Sequence, residues 1–279
     1  MSVGNSLAKR DVNSMPFSAF MTQDAVKNKI NQMVGGKDGQ RFITAIISAV
    51  NTNPELAVCD KNSIVSAALL GESLKLSPSP QLGQYYMVPY NDTKRGCKVA
   101  QFQLGYKGYV QLAIRSGYYK KINVLAIKEG ELVKFDPLEE EIEVNLIDDE
   151  QEREQAETIG YYAMFEYHNG FRKAIYWSRA KMEAHANQYS KGYKARKGYT
   201  FWEKDFDGMA YKTMLRQLIS KWGIMSIELQ NAIEKDAAVI GEDMQPEYID
   251  NQPEVVEEAG AEAMAEEPAQ EQPEDDPLA

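Results

Sequence analysis

Two turn sequences constrain the fold most strongly, because each joins two runs of strand-forming residues. The stretch Asn91–Gly96 separates Gln84–Tyr90 from Val99–Leu104, and both runs are rich in aromatic and branched side chains. The pair Asn169-Gly170 separates two further runs of this kind, and Asn-Gly is among the strongest local hairpin signals. The chain therefore contains antiparallel sheet built from hairpins.

Helical patterns precede and follow these hairpins. Thr22 is placed as the N-cap of the first helix, and Ser178 and Ser226 can cap two later ones. The predicted helices are 22–34, 40–50, 62–76, 105–116, 179–188, 202–222 and 226–235. We therefore predict an α+β fold, with N-terminal helices, a central antiparallel sheet of hairpins packed by helices, C-terminal helices and a disordered acidic tail.

Charge is distributed unevenly along the chain. The net charge is −11, yet residues 236–279 hold fifteen acidic side chains and no Lys or Arg, so residues 1–235 carry +4. Within residues 1–235, the segment 128–157 carries −10, so the flanking blocks 1–127 and 158–235 together carry +14. A basic body hidden by an acidic tail is a recognised sign of nucleic-acid binding. From residue 241 onward the composition offers nothing to bury in a core, so that stretch is predicted to be disordered.

Enzymatic signals are weak. The Gly35–Gly39 stretch lacks the spacing and the hydroxyl of a phosphate-binding loop, and His168 and His185 have no neighbours spaced for zinc or for a nucleophile. We therefore expect no enzyme, no cofactor and no metal. Cys59 and Cys97 form no disulfide framework, and no apolar run approaches the ~20 residues of a membrane span. These features favour a cytoplasmic protein without a membrane partner.

One predicted helix places cationic and polar side chains on a single face. Lys107, Gln111 and Arg115 are spaced at i, i+4 and i+8, and Lys120 and Lys121 follow shortly after. Such a stripe can follow a phosphate backbone, although an ordinary solvated helix face has the same pattern. The apolar residues expected to face a core are Val110, Ala113 and Ile114.

The segment 189–202 interleaves cations with aromatic rings, the pairing that single-strand binders use for phosphates and bases. Residues 189–199 lack apolar periodicity and are predicted to form a loop; the alternative is a solvated loop anchored by its aromatic ends. The following helix adds Lys212 and Arg216, one turn apart on one face. The candidate DNA contacts are Lys107, Gln111, Arg115, Lys120, Lys121, Lys191, Lys194, Arg196, Lys197, Tyr199, Trp202, Lys204, Lys212, Arg216 and Lys221.

These segments resemble the RecT family. Residues 105–117, Gly-Tyr-Lys-Gly-Tyr-Val-Gln-Leu-Ala-Ile-Arg-Ser-Gly, are similar to the family signature Gly-Tyr-Arg-Gly followed by Leu-Ala-Arg-Arg-Ser-Gly. Residues 67–71 and 82–90 look like the run that leads into it, and Trp202 with 209–216 resembles the pattern downstream. The likeness spans roughly residues 40–235. Lys107 replaces an Arg and loses its guanidinium fork, and Ile114 replaces the first Arg of the Arg-Arg pair.

The resemblance implies an ATP-independent protein of phage homologous recombination and repair, which anneals complementary DNA strands. Lys107, Arg115, Lys212 and Arg216 match family positions and are its leading DNA contacts. The implied partners are single-stranded DNA, the annealed duplex, further copies in a ring or helical filament, a phage exonuclease and the host single-strand-binding protein. The expected division is an N-terminal arm with an oligomerisation helix (1–38), an annealing domain (39–240) and the tail (241–279).

Three other functions remain open at this point. A passive single-strand-binding protein would share the cationic surface, and a metal-dependent nuclease would use the carboxylates of residues 139–157. A virion assembly protein with an incidental basic surface would show no salt-dependent DNA affinity. The tail itself has three interpretations: it competes with DNA for the basic groove, recruits a partner, or keeps the protein soluble.

Overall fold

A computed structural model describes residues 15–198, 200–241 and 243–247 of the 279-residue chain. Helices and antiparallel strand pairs occur together throughout this part, so the predicted α+β class is confirmed. The predicted single central sheet is divided into a four-stranded sheet, a three-stranded sheet and a separate hairpin. The residues outside the described part are 1–14, Tyr199, Glu242 and 248–279, and the last range holds most of the predicted tail.

The described residues form eleven α-helices, and a short 3-10 helix spans Pro54–Val58. The helices are α1 (Phe17–Met21), α2 (Asp24–Val34), α3 (Gly36–Thr52), α4 (Lys61–Ser73), α5 (Tyr106–Arg115), α6 (Glu150–Gln155), α7 (Arg179–Tyr189), α8 (Lys191–Lys194), α9 (Phe201–Lys204), α10 (Phe206–Trp222) and α11 (Ile227–Glu234).

Nine strands occur in the same part of the chain. They are β1 (Tyr85–Asp92), β2 (Cys97–Leu104), β3 (Tyr119–Lys128), β4 (Leu132–Asp136), β5 (Glu141–Val144), β6 (Thr158–Tyr167), β7 (Arg172–Ser178), β8 (Ala238–Ile240) and β9 (Pro246–Glu247). The four-stranded sheet has the order β1-β2-β8-β9, the three-stranded sheet has the order β3-β6-β7, and β4 pairs with β5.

The N-terminal helices pack on the four-stranded sheet through α4. Ten residues of α4 are buried, because this helix lies between α2 and α3 on one side and β2 on the other. Gly71 allows the closest approach: a Cβ there would overlap the ring of Tyr85. Phe17 and Ile30 belong to the same core, so α1 and α2 pack with the rest of the molecule. Whether residues 1–38 also drive oligomerisation stays a prediction.

The three-stranded sheet is buried on both faces. Along β6, Tyr161 and Phe165 point into a core shared with α7 and α10, whereas Tyr162 and Met164 point to the opposite face. Alternation with period two makes this possible. The β4–β5 hairpin covers the second face, where Ile142 packs against the cluster of Tyr162 and Met164. Both faces of the central strand β6 are therefore packed.

Glu131 organises the acidic segment 128–157. Its buried carboxylate accepts hydrogen bonds from the N–H groups of Lys128 (2.8 Å) and Ile147 (3.2 Å) and from Arg153 Nε (2.6 Å). Arg153 lies on α6 and also donates to the Ala126 carbonyl of β3 (2.9 Å). One carboxylate thus joins the β4–β5 hairpin and α6 to the three-stranded sheet.

Several predicted boundaries are wrong. Phe17 begins a helix before the first predicted one, and Thr22 is the C-cap of α1, not the N-cap of α2. The helix predicted over 202–222 is interrupted at Asp205, whose carboxylate caps α10 by accepting from the Gly208 N–H (3.0 Å). The predicted loop 189–199 contains α8.

Order also extends past the predicted start of the tail. Strand β8 joins β2 through the pairs Gln101↔Val239 and Phe102↔Ala238, and β9 joins β8. Neither strand is recognisable from local sequence, because both are short, β8 depends on a strand more than a hundred positions earlier in the chain, and β9 depends on β8. Residues 243–247 are therefore part of the fold.

Candidate nucleic-acid interface

The N-terminus of α5 rests directly on the backbone that leads into β1. A Cβ on Gly105 would overlap the Gly83 carbonyl oxygen, and a Cβ on Gly108 would overlap the Gln84 carbonyl oxygen. Both glycines of the Gly105-Tyr-Lys-Gly108 motif are thus required by close packing. The exposed face of the helix carries Lys107, as the spacing predicts, and the Lys107 side chain lies close to Gly83.

Gln111 and Arg115 lie on this exposed face of α5, one and two turns after Lys107. The core-facing residues are Tyr109, Leu112 and Ala113. Ile114, however, is 54% exposed, so its predicted orientation toward a core is wrong. It follows Ala113 around the helix and points to solvent beside Arg115.

Aromatic rings surround the N-terminal end of this face. The ring of Tyr86 on β1 lies 5.7 Å from the ring of Phe201 on α9, and the Nζ of Lys107 is 5.9 Å from the centre of the Tyr106 ring. Burial raises the pKa of the Tyr86 hydroxyl, and the nearby Asp205 carboxylate raises it further. Sequence reasoning missed Tyr86 and Tyr106 as site residues, although both lie in motifs that carry the family resemblance.

The α8–α9 connection brings more cations to this surface. The Glu203 carboxylate accepts from the N–H groups of Gly198 (2.8 Å) and Thr200 (3.1 Å) and from the Thr200 hydroxyl (2.7 Å). These hydrogen bonds hold the pKa of Glu203 below its ordinary value, and the bond from the Gly198 N–H has the largest effect. They also fold the connection back on α9, which places Arg196 near Glu203.

We call the resulting cluster the α5–α9 surface; its residues are Tyr86, Tyr106, Lys107, Arg196, Phe201 and Lys204. Within the described ranges, no carboxylate forms an ion pair with any of its three cations. Two acids of this region, Glu203 and Asp205, accept hydrogen bonds from backbone N–H groups, and Glu203 also attracts Arg196 without forming an ion pair. The surface therefore offers uncommitted positive charge beside partly exposed rings.

The other predicted cations are not counted in this cluster, and some of them have local partners. Lys191, Lys194 and Lys197 are exposed on α8 and the turn after it. Lys120 forms an ion pair with Glu166 of β6, and the neighbouring Lys121 is exposed. Lys221 is half-buried, and its Nζ lies 4.7 Å from the centre of the Trp222 ring.

Arg115 has a structural task that the sequence did not reveal. Its guanidinium donates to the carbonyl oxygens of Leu74 (2.6 Å) and Lys75 (3.3 Å), just past the end of α4. Lys75 has a φ of +52°, a conformation that ends the helix. Arg115 therefore caps α4, and its charge is already partly engaged there.

Lys212 and Arg216 are not on an open surface. They are 7% and 6% exposed, and both donate to the buried carboxylate of Asp236, at 2.9 Å and 3.1 Å respectively. The same carboxylate accepts from the Leu104 N–H (2.9 Å), directly before α5. In this structure both cations therefore belong to the core, and their role as leading DNA contacts stays a prediction.

Trp202 is also in the core rather than available for stacking. It is 6% exposed and packs against Phe206, with ring centres 5.0 Å apart. Phe201, the neighbouring residue, is the ring that reaches the surface, and DNA contact by Trp202 stays a prediction. Tyr199 lies outside the described residues.

Two further kinds of feature are absent from the described part of the chain. No three His, Cys, Asp or Glu side chains there are grouped to hold a metal ion. No helix there combines the length and hydropathy that crossing a membrane would demand.

Comparisons with known proteins agree with the motifs. The RecT family model matches residues 40–256. The uncharacterized protein YqaK of Bacillus subtilis is 38% identical over 264 residues, which cover 90% of this chain and 87% of YqaK. Protein RecT of Escherichia coli is 29% identical over 221 residues, covering 78% of this chain and 79% of that protein. The chain therefore belongs to the RecT family.

Proposed function

We propose that this protein binds single-stranded DNA on the α5–α9 surface and anneals it to a complementary strand without nucleotide hydrolysis. Membership of the RecT family supports a function in DNA recombination and annealing. The observation that carries the site assignment is the set of unpaired cations beside partly exposed rings, built on the Gly105–Gly108 family motif. The partner of this surface is single-stranded rather than duplex DNA, because only unpaired bases can stack on protein rings.

Affinity on such a surface comes mainly from phosphates. Each phosphate that Lys107, Arg196 or Lys204 neutralises releases condensed counterions, so binding weakens as salt rises. Phosphate contacts fix the position of the strand without reading its sequence. In this proposal the path of the strand is extended by Gln111 on α5 and by the exposed cations Lys121, Lys191, Lys194 and Lys197.

Sequence discrimination then comes from base pairing. A strand held by its phosphates keeps its base edges free to test a second strand. Each correct stacked step contributes about 1.4 kcal/mol, so a matched strand is retained and a mismatched strand dissociates. No step needs nucleotide hydrolysis. Further copies of the chain, a phage exonuclease and the host single-strand-binding protein are the proposed partners, in the cytoplasm.

An annealing assay tests this function. Two complementary oligonucleotides carrying a fluorophore and a quencher are mixed with the protein, with and without ATP and magnesium. We expect faster pairing that requires neither addition, and no acceleration for non-complementary strands. Protection of the strands without faster pairing would indicate the passive binding protein, and magnesium-dependent loss of the strands would indicate the nuclease.

A further inference from the structure

The last described strand, β9, runs toward the end of the four-stranded sheet at which α5 begins. Strand β9 pairs antiparallel with β8, which pairs antiparallel with β2. At Glu247 the chain therefore runs parallel to β2 and points toward Leu104, the residue before the α5 N-cap. Only three strand spacings, about 14 Å, separate β9 from β1, which carries Tyr86.

The residues beyond this point are strongly acidic. Residues 248–279 contain eleven Asp or Glu and no Lys or Arg. Thirty-two residues span at most about 110 Å, so the tether does not limit reach to any cation of the body. Glu247 already forms an ion pair with Arg95 at the tip of the β1–β2 hairpin, and both side chains are roughly half exposed.

We infer that residues 248–279 dock on the α5–α9 surface when DNA is absent and compete with the strand for it. Carboxylates and phosphates are interchangeable partners for lysine and arginine, and Lys107, Arg196 and Lys204 have no ion pair among the described residues. A tethered polyanion acts at an effective concentration in the millimolar range. The tail thus sets a threshold that a strand must exceed, and a bound strand frees the tail for another partner.

The inference shares its surface with the proposed function, so the two are tested by separate measurements. All variants are made in the full-length chain, because truncation before Asp236 would also remove the buried carboxylate that holds Lys212 and Arg216. The tail variant changes Glu254, Glu257, Glu258, Glu262, Glu266 and Glu267 to Gln. The matched control removes the same charge from the exposed acidic segment, changing Glu139, Glu141, Glu143, Asp148, Glu150 and Glu154 to their amides.

In the first measurement, affinity for a single-stranded oligonucleotide is compared at about 50 mM and about 200 mM salt. The tail variant should bind about fivefold or more tightly than the unaltered chain at the lower salt, and the gain should shrink at the higher salt. The control should gain much less. Equal gains in both variants would reduce the effect to net charge and overturn the inference.

The second measurement omits DNA. A fluorescent peptide of residues 248–279 is titrated with the tail variant, and its anisotropy should rise, less so when Lys107→Gln and Lys204→Gln are added. Absence of peptide binding would contradict docking even if DNA binding is normal. If the protein binds the peptide but not DNA, docking would be supported and the proposed function would be contradicted.

Discussion

The carboxylate of Asp236 accepts hydrogen bonds from Lys212, Arg216 and the Leu104 N–H, at a site closed to solvent. Spacing alone placed the two cations on one helix face, which is correct, but it could not show where that face points. Their partner lies 24 and 20 positions further along, in a stretch that composition assigns to an acidic run. Only the pairing of β8 with β2 brings it inward.

Removal of this carboxylate should destabilise the protein severely. Asp236→Asn leaves two buried cations without a counter-charge, and breaking a buried ion pair in this way costs about 3–5 kcal/mol. Urea unfolding followed by circular dichroism measures the free energy of unfolding. Asp148→Asn, at an exposed position, should change it by less than about 0.5 kcal/mol. A similarly small change for Asp236→Asn would contradict the role given to the buried cluster.

Glu131 predicts how stability responds to acid. Burial raises its pKa, but the hydrogen bonds from Arg153, Lys128 and Ile147 outweigh burial, and the net pKa lies below its ordinary value. A carboxyl with a lowered folded-state pKa stabilises the protein above its unfolded-state pKa of about 4.3, and this contribution is lost as pH falls through the folded-state value.

Glu131→Gln should therefore be less stable than the unaltered chain at neutral pH and should lose less stability on acidification. Urea midpoints measured from pH about 6 to about 3 give the comparison. Glu139→Gln, at an exposed position of the same acidic segment, should follow the unaltered chain. Parallel pH profiles for Glu131→Gln and the unaltered chain would exclude this carboxylate as a source of acid sensitivity.

At the scale of elements, the sequence predicted the features that depend on neighbouring residues, namely helix caps and the hairpin turn. Ser178 and Ser226 cap α7 and α11 by accepting from N–H groups three residues on, as their positions before apolar runs indicate. Gly170 takes the positive φ that the Asn-Gly turn requires. The break at Asp205 was missed because the apolar pattern continues through it. Strand β8 was missed because its stability depends on β2.

The contact between α5 and the start of β1 should make a Gly→Ala substitution in α5 destabilising. Gly→Ala in a helix interior usually stabilises by up to about 1 kcal/mol. At Gly108, the added methyl would overlap the backbone oxygen of Gln84, which cannot move as a flexible side chain can. Gly108→Ala should thus lower the free energy of unfolding and weaken DNA binding by displacing Lys107.

Gln111→Ala, at an exposed position of the same helix, is the control for helix propensity. It should leave the free energy of unfolding within about 0.5 kcal/mol of the unaltered chain in the same urea titration. A stability of Gly108→Ala equal to or above that of the unaltered chain would show that α5 can shift away from β1 without cost.

For the molecule as a whole, the uneven charge of the sequence becomes a spatial arrangement. Glu131 holds the acidic segment to the three-stranded sheet, where the β4–β5 hairpin covers apolar residues. The α5–α9 surface joins parts of the chain that are about a hundred residues apart, Tyr86 to Lys107 and Arg196 to Lys204. Sequence could supply these cations as candidates. It could not separate them from Lys212 and Arg216, because charge and spacing are alike in both sets.

The salt dependence of single-stranded DNA binding tests the central claim most directly. Affinity is measured over a range of salt for the unaltered chain, for Lys107→Gln with Lys204→Gln, and for a control with Lys27→Gln and Lys134→Gln. Loss of two phosphate contacts should weaken binding and make the slope of log affinity against log salt shallower by about 1.4. The control should retain the full slope. An unchanged slope for the Lys107 and Lys204 variant would contradict the assignment of phosphate binding to the α5–α9 surface.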